Sequence, residues 1–574
     1  MADLETRMNF KTIIDYKEIH GESKDISFAE SLIKGIPSVT LLNYISGFNI
    51  KLYLSDTGNE SHLIQLQLLN NLVIKAGKPT LEKFNEVIKK HIDRQEWPIV
   101  LWRYSNLLFY ELIFKNYNTL PDKDFSEEQT KDFLDAYLIL NSVTSNRFNI
   151  TSDEIQEAVL KEEIESIFLP NFIYQKDYAS TTELSNQITR CFKLFEFLEN
   201  SEKFKDLTKK YYNHLNIKDS KDLIYNLLTI FGQVGINDPI AMRKQIIPLS
   251  DLTSLLSIDY IQSLTINDTI STYTTDNSFR TLRNKMLYQY STYTYFLLDI
   301  NFLIDQLYKA QIFSFKSFIE KNGYKGDFLS VKGKEFMEDI YFRLIMEKCF
   351  PHYIRRSGND VKKHDGNELC DYYLRKGNEI ILIEFKDILL NADLKEKSDK
   401  EALYSALDKK FFENQKNDPK GIKQLYNAIK YIEKNEIYFD DIFENGKPNI
   451  YPVVVYTDLS FGYEGINKIL KQKLNELMNS ESFEKTTVKE VTFINLSYFE
   501  LHEDHLKQGI IEIQEYIEEY HKHTKNEKYS TTPFEVFSRF YLRENEKQIL
   551  GNPSFMLEIL KQIFPPELDD LLTN

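Results

Sequence analysis

Residues 370–387, CDYYLRKGNEIILIEFKD, contain two apolar runs joined by Arg-Lys-Gly-Asn. Gly377-Asn378 is typical of two-residue turns between antiparallel strands, so the stretch predicts a β-hairpin. With that turn, Lys376 faces Glu379, and the pairing of every other residue in the two strands follows. The second strand carries consecutive isoleucines and leucine, which predicts that both of its faces are buried.

Three polar residues interrupt this apolar hairpin. The register places Asp371 opposite Glu384, with their Cβ atoms about 4.5–5.5 Å apart. Lys386 lies two residues beyond Glu384 and therefore points to the same face of the strand. The opposite face is predicted to carry Cys370, Ile383 and Phe385.

This arrangement indicates a particular chemistry. Two carboxylates so close repel each other, and a hard divalent cation such as Mg²⁺ removes the repulsion. A lysine beside the cation can hold an attacking water and neutralise charge that develops on a phosphorus centre. The pattern therefore predicts a metal-dependent site for phosphodiester hydrolysis. The alternative is a structural hairpin whose solvent face carries a cross-strand ion cluster.

Residues 368–387, ELCDYYLRKGNEIILIEFKD, resemble the core of the PD-(D/E)XK, or restriction-endonuclease-like, nuclease superfamily. In that family an Asp on one strand is followed by Glu-x-Lys on the next. The resemblance implies that Asp371, Glu384 and the backbone carbonyl of Phe385 bind Mg²⁺ or Mn²⁺. It also implies that Lys386 serves the attacking water.

The family often adds an acidic residue on the preceding helix and a glutamine on the following helix. KGKEFMEDIYFRLI resembles the preceding helix, with Glu338 best placed to support the site or bind a second metal and Glu335 as the alternative. KQLYNAI resembles the following helix and supplies Gln424. Ala428 departs from the Gln-x-x-x-Tyr pattern of the exonuclease-like branches, and Cys370 stands where the family often has proline.

Composition predicts a helix-rich protein of several domains. The chain has 574 residues, of which only 19 are glycine and 15 are proline. We expect a multidomain protein, with a mainly α-helical N-terminal region and an α/β restriction-endonuclease-like domain whose mixed central sheet is flanked by helices. The predicted boundaries are 1–325 for the helical region, 326–500 for the nuclease-like domain and 501–574 for a helical tail. Within the first region, NIKLYLSD predicts a short strand, and the apolar run from 291 to 321 predicts one long helix.

Charge limits the mode of nucleic-acid binding. The net charge is −16, which argues against a surface coated with cations. Residues 386–434 differ, with 11 lysines against 9 acidic residues, and they also carry Phe411, Phe412, Tyr426 and Tyr431. Lysines and aromatic rings there predict either contact with nucleic acid or a surface helix with a buried aromatic stripe.

Other sequence signals bear on location and cofactors. Three separated cysteines without a C-x-x-C motif favour a reducing compartment, and no signal peptide or membrane span is predicted, so we expect a cytoplasmic protein. No P-loop motif is present. The spacings of His502, His505, His521 and His523 fit no familiar zinc pattern, which favours solvated helix ends over a zinc site.

The sequence thus predicts a nuclease that cuts DNA rather than RNA, either internally or from an end. By family analogy it would be a bacterial defence or restriction-like effector, controlled by a regulatory protein partner or by homo-oligomerisation. The alternative is a non-catalytic helical interaction scaffold that retains a nuclease-like, nucleic-acid-binding domain.

Overall fold

The computed structural model describes residues 10–54, 60–145, 152–161, 163–178, 183–234, 246–249, 256–276, 278–361, 368–437, 439–443, 446–545 and 553–564. The chain divides into two compact units. Unit 1 comprises the described residues of Met1–Asn149 and Tyr178–Ile319, and unit 2 those of Ile150–Asp177 and Glu320–Asn574. Residues 150–177 and the C-terminal segment from 501 onward therefore lie in the same unit as the predicted nuclease-like domain.

Unit 1 is mainly helical. Two small sheets accompany the helices: β1 (Phe10–Ile13) pairs in parallel with β2 (Glu96–Ile99), and antiparallel strands lie in the order β3 (Ile246–Pro248), β5 (Thr294–Leu297), β4 (Leu287–Ser291). Its helices are Tyr16–His20, Ile26–Ile33, Ser38–Leu54, Glu60–Lys75, Lys78–Asp93, Arg103–Lys115, Glu127–Ser145, Leu184–Asn200, Lys205–Leu215, Ser220–Val234, Ile258–Ser263, Arg280–Asn284, Ile300–Asp305 and Lys309–Lys321, with a 3₁₀ turn at Asn267–Thr272.

Two local predictions in unit 1 are wrong. Residues 49–54 are not a strand but the end of helix Ser38–Leu54, which is buried on nearly all sides and so lacks the periodicity that marks a helix. The run from 291 to 321 is not one helix, because it begins with strand β5 (Thr294–Leu297) and Asp299 then starts helix Ile300–Asp305. The Asp299 carboxylate accepts from the backbone N–H of Phe302 at 2.9 Å and pairs with Arg103 at 2.8 Å.

Unit 2 contains a mixed sheet of six strands in the C-terminal half of the chain, as expected. The strands are β6 (Ile354–Ser357), β7 (Tyr372–Lys376), β8 (Glu379–Lys386), β9 (Asn449–Tyr456), β10 (Thr487–Val488) and β11 (Thr492–Asn495). Their order is β10-β9-β8-β7-β6, and β11 also pairs with β9. β6, β7 and β8 are antiparallel neighbours, whereas β9 runs parallel to β8, β10 and β11.

Helices cover both faces of the β7–β8 hairpin. On one face, Ile380 and Leu382 pack against helices Lys400–Phe411 and Gly421–Glu433. On the other face, the ring of Phe385 stacks on that of Phe342, with 4.5 Å between centroids. The remaining helices of unit 2 are Ser152–Leu160, Glu165–Phe172, Gln175–Tyr178, Phe328–Val331, the π-helical Lys332–Phe342, Arg343–Cys349, Ala392–Glu396, Ile466–Met478, Leu496–Leu501, Glu503–Lys507, Ile513–Thr524, Phe534–Glu544 and Ser554–Ile563, with 3₁₀ turns at Gly358–Asp360, Leu459–Gly462 and Glu527–Tyr529.

The predicted hairpin register is confirmed. Lys376 pairs with Glu379 and Tyr372 with Ile383 across β7 and β8. Burial on both faces of β8 is confirmed as well. Cys370 does not lie on the predicted face of the hairpin, because it belongs to the core that contains Leu382. β7 begins only at Tyr372, so the alternation of side chains in a strand does not extend back to Cys370.

The aromatic residues of segment 386–434 are structural. Phe411 is fully buried and Tyr426 is 7% exposed, while Phe412 and Tyr431 pack against the same core. The buried aromatic stripe predicted as one alternative is therefore present.

An ion pair between buried side chains fixes the far end of the hairpin. Arg375 donates to both carboxylate oxygens of Asp440 at 2.6 and 2.7 Å, and Tyr373 donates to the same group at 2.7 Å. We expect Asp440→Ala to lower the free energy of unfolding by about 3 kcal/mol, because it leaves the Arg375 charge buried without its carboxylate. Denaturant unfolding with Glu558→Ala as the control measures this. The exposed pair of Glu558 with Lys348 is worth about 1 kcal/mol or less, and equal losses in the two variants would contradict the expectation.

All three cysteines are buried and free. In the described ranges, no helix combines the length and the apolar character needed to cross a membrane.

Candidate active site

The predicted site residues meet at one edge of the unit 2 sheet. Asp371 immediately precedes β7, whereas Glu384 and Lys386 lie at the end of β8. The two strands are antiparallel, so the start of one lies beside the end of the other. The parallel strand β9 ends at the same edge, where Tyr456 pairs with Lys386. We call this place the site edge.

Lys386 contacts both predicted carboxylates. Its Nζ donates to Glu384 Oε2 at 2.9 Å and lies 3.7 Å from Asp371 Oδ2. Glu384 is 1% exposed, and the side chains of Lys386 and Asp371 are 13% and 11% exposed. The three charges are thus held together and almost out of solvent.

The backbone of Phe385 faces Asp371. Asp371 Oδ2 accepts from the backbone N–H of Phe385 at 2.7 Å. Because β7 has not yet begun at this position, the side-chain oxygen takes the place of a backbone carbonyl from a neighbouring strand. In a strand, the carbonyl of a residue points to the same side as its N–H. The carbonyl oxygen of Phe385 is therefore directed toward the Asp371 side of β8.

Burial and the closeness of the charges shift the pKa values of this site. Burial raises the pKa of Glu384 to about 8, and repulsion from Asp371 adds to this rise while Lys386 opposes it. For Lys386, burial lowers the pKa, but attraction to Glu384 and Asp371 outweighs burial and holds it above its ordinary value. One ammonium therefore does not neutralise this group of carboxylates, and a further cation would be favoured.

Glu338 and Glu368 join Asp371 in what we call the carboxylate cluster. One oxygen of each residue lies within 4.8 Å of the others, and no other group of three or more His, Cys, Asp or Glu side chains does so in the described part of the chain. Sequence reasoning missed Glu368. It lies three residues before Asp371, an odd separation that would place it on the opposite face of a continuous strand. The chain is not in a strand there, so that rule does not apply.

Gly358 leaves room for Glu368. A Cβ atom at position 358 would lie 3.1 Å from Cδ of Glu368 and 3.2 Å from the carbonyl oxygen of Cys370. The Gly358 N–H donates to the carbonyl of Asp371 at 2.9 Å, which brings the 3₁₀ turn after β6 against the carboxylate cluster. A side chain here would push Glu368 or the backbone away.

The π-helical segment Lys332–Phe342 carries Glu338. π-helical turns are rare in proteins, and those that do occur are frequently found at functional sites. Here they let Lys334 contact both Glu338 and Asp339, and Lys334 Nζ also lies 4.0 Å from Glu368. Burial and then repulsion from Asp371 raise the pKa of Glu338 to about 7, against the opposing effect of Lys334.

An ion pair holds the start of this helix at the site edge. Lys332 donates to Asp387 Oδ2 at 2.7 Å, and the side chains are only 9% and 10% exposed. The Thr457 hydroxyl donates to the other oxygen of Asp387 at 2.9 Å. Asp387 directly follows Lys386, so this contact fixes the π-helical segment relative to the end of β8.

Two other predicted residues are placed differently. Gln424 accepts from the backbone N–H of Gly421 at 2.7 Å and so caps the start of its own helix. Glu335 is outside the carboxylate cluster, which contains Glu338 instead. That Gln424 has a catalytic role is still only a prediction.

The donor set suits a hard divalent cation. Asp371, Glu338, Glu368 and the Phe385 carbonyl offer oxygen atoms alone, the ligands that Mg²⁺ and Mn²⁺ prefer. Glu384 adds a further carboxylate, at present hydrogen-bonded to Lys386. No thiol or imidazole belongs to the carboxylate cluster, which disfavours zinc.

The histidines form no part of this cluster. His521 is buried, with Nε2 2.8 Å from the Thr492 hydroxyl and Nδ1 3.0 Å from Glu490. Burial lowers the pKa of His502 to about 3. The expectation that all of these histidines lie at solvated helix ends is therefore wrong for His521, which is buried, whereas His502 is partly buried.

Mn²⁺ binding tests the ligand assignment. We expect Glu338→Gln and Glu368→Gln each to weaken Mn²⁺ binding by roughly 10- to 100-fold, because each removes a charged oxygen donor. Glu335→Gln is the matched control on the same helix and should bind like the wild type. Calorimetric titration of Mn²⁺ into the wild type and the three variants measures these affinities. A loss with Glu335→Gln and none with Glu338→Gln would contradict this assignment.

Comparison of the chain with protein-family models, with curated proteins and with solved structures gave no match in any of the three.

Proposed function

We propose that the protein is a divalent-metal-dependent nuclease that hydrolyses phosphodiester bonds in nucleic acid, DNA rather than RNA. One observation carries the proposal: the carboxylate cluster lies beside the buried Lys386, which itself contacts Asp371 and Glu384. Oxygen donors for a hard cation next to a fixed ammonium suit the stabilisation of a negatively charged phosphorus centre.

Each residue has a distinct role in this proposal. Asp371, Glu338, Glu368 and the Phe385 carbonyl would hold Mg²⁺ or Mn²⁺, with Glu384 as a further ligand. When bound, the metal supplies Lewis-acid polarisation of a phosphate oxygen and of a water. Lys386 orients the attacking water through its ammonium and offsets charge on the phosphate. Glu384 keeps that ammonium in place, and its protonation state decides the net charge that the Glu384–Lys386 pair presents to the substrate.

The same residues support membership of the PD-(D/E)XK superfamily. Asp371 before β7 and Glu384-x-Lys386 at the end of β8 follow the family order, on a hairpin beside the parallel strand β9. By that resemblance, unit 2 would be the nuclease and unit 1 would sense, recruit or restrain. Control by a protein partner or by homo-oligomerisation, in a bacterial defence role, belongs to the same proposal.

A cleavage assay tests the proposal. Purified protein would be incubated with Mg²⁺ or Mn²⁺ and with supercoiled, linear and single-stranded DNA and a structured RNA. We expect metal-dependent cutting of DNA by the wild type and none by Glu384→Ala. Cutting that survives Glu384→Ala at the wild-type rate would overturn the site assignment. If no form cuts, Mn²⁺ binding lost in Glu384→Ala indicates a restrained enzyme, whereas no binding by the wild type indicates the scaffold.

A further inference from the structure

A cavity of about 520 Å³ lies at the end of helix Lys400–Phe411, where the chain turns toward helix Gly421–Glu433. Its charged lining consists of Lys409, Lys410, Lys416 and Asp418. We call it the lysine cavity. Three ammonium groups against one carboxylate make it a concentration of positive charge in a protein whose net charge is −16.

The lysines of this cavity are available to a ligand. Within the described residues, none of Lys409, Lys410 and Lys416 forms an ion pair. Neighbouring lysines do: Lys423 pairs with Glu413 and Lys473 with Asp408, each at 2.6 Å. The only acid in the lining, Asp418, accepts from the Asn414 amide at 2.9 Å. The cavity therefore carries an excess of positive charge, because its three lysines face a single carboxylate.

The walls of the cavity are preformed. Asn414 Oδ1 accepts from the backbone N–H groups of Lys416 at 2.9 Å and Asp418 at 3.0 Å. The backbone N–H of Lys420 donates to the carbonyl of Phe412 at 2.8 Å. These bonds close the loop on itself before any ligand arrives. An anion bound here would not have to order the backbone, which lowers the cost of binding.

The cavity is connected to the site edge. Burial lowers the pKa of Lys410, and the Asp458 carboxylate nearby opposes that effect. Asp458 lies two residues after β9 and accepts from the N–H of Leu390, which follows β8, at 2.7 Å. The geometric link is Phe411, the neighbour of Lys410: its ring centroid lies 4.8 Å from that of Phe461, in the 3₁₀ turn Leu459–Gly462 that follows β9. β9 ends at the site edge, so the end of helix Lys400–Phe411 lies beside that edge.

The cavity offers phosphate contacts but no base contacts. Phe411 is in the core, and the ring of Phe412 lies under Lys423 and Lys473, whose Nζ atoms are 5.6 and 5.2 Å from its centroid. No aromatic side chain lines the cavity. The chemistry is that of backbone binding, which depends on charge and not on base sequence.

We propose that the lysine cavity binds backbone phosphates of the nucleic-acid strand whose scissile bond lies at the site edge, without reading its bases. This inference rests on the proposed function and assigns the substrate a second point of contact. It predicts cleavage with little sequence preference on the side of the substrate that the cavity holds.

DNA binding in EDTA tests the inference without cleavage. The triple variant Lys409→Gln, Lys410→Gln, Lys416→Gln would be titrated against labelled duplex and single-stranded DNA over a salt series. We expect the affinity at low salt to fall at least about 10-fold, and the slope of log K against log salt to fall by roughly 2. The matched control replaces Lys507, Lys525 and Lys561, three exposed lysines of the same unit, by glutamine.

Each outcome is decisive. Wild-type affinity and slope in the cavity triple, or equal losses in both triples, would overturn the inference. Replacing the three cavity lysines by arginine should restore binding, which separates lost charge from a fold defect. If inorganic phosphate displaces DNA equally well from the wild type and from the cavity triple, phosphate does not act at the cavity and the inference is wrong. If the wild type cleaves DNA and the cavity triple cleaves it at the same rate, this inference alone is overturned. If the two proteins differ in DNA binding but the wild type neither cleaves DNA nor binds Mn²⁺, the proposed function alone is overturned.

Discussion

Lys386→Met is expected to lower the rate of metal-dependent DNA cleavage by about 100- to 10,000-fold, the range for losing a positioned proton-transfer or charge-stabilising group. Lys386 Nζ lies 2.9 Å from Glu384 and 3.7 Å from Asp371, so its ammonium is fixed at the site edge. Methionine keeps the length of the side chain but removes the charge. Single-turnover cleavage at saturating Mg²⁺ measures the chemical step.

The variant should still fold. Without Lys386, Glu384 loses the contact that favours its ionised form, and burial already raises its pKa to about 8. The carboxyl group will hold a proton at neutral pH instead of remaining a buried, uncompensated charge. Thermal melting near pH 6 should therefore show a folded protein.

Lys376→Met is the control for this experiment. Lys376 lies at the other end of the same hairpin, 46% exposed and paired with Glu512. The Lys376→Met protein should cleave DNA at close to the wild-type rate. A folded Lys386→Met protein that cuts as fast as the Lys376→Met protein would remove Lys386 from the mechanism.

The contribution of Glu384 and Glu338 to the stability of the metal-free protein is expected to fall as pH rises from about 4.5 to about 8. The pKa of Glu384 is raised to about 8 and that of Glu338 to about 7, from an ordinary 4.5. In this window the folded state binds protons that the unfolded state has already lost, so the free energy of unfolding decreases with pH. The stabilisation is complete below about pH 4.5 and is lost as pH passes the folded-state values. We expect a loss of a few kcal/mol across the window.

Divalent metal should reverse this dependence. Ligand carboxylates must be ionised, so Mn²⁺ competes with protons and stabilises the protein more near pH 8 than near pH 5. Denaturant unfolding across this range, with EDTA or with Mn²⁺, measures both effects. Glu384→Gln, which cannot ionise, should give a flatter pH dependence in EDTA. The same slope in wild type and Glu384→Gln, with no effect of Mn²⁺, would exclude a buried acidic site at Glu384.

The sequence alone determined the hairpin. A Gly-Asn turn and the two-residue alternation of strands are local rules, and they placed Lys376 opposite Glu379 and grouped Asp371, Glu384 and Lys386 correctly. Composition predicted a helix-rich chain, and the order of the predicted elements with the family resemblance predicted a mixed sheet in its C-terminal half. The hairpin needs no information from outside residues 370–387.

Only the tertiary structure decided which further side chains reach that hairpin. Glu338 was distinguished from Glu335 by π-helical turns and by the anchoring of Lys332 on Asp387, contacts that span more than fifty residues. Glu368 was found because the chain before β7 is not a strand and Gly358 leaves it room.

The burial of the histidines and the shape of the lysine cavity were likewise decided by the tertiary structure. The burial of His521 depends on Thr492 and Glu490, and the loop that shapes the lysine cavity depends on bonds between Asn414 and its neighbours. Alternation and periodicity specify which way a residue points within its own element. They do not specify which element packs against it, because packing depends on the shape and burial of surfaces that are distant in sequence.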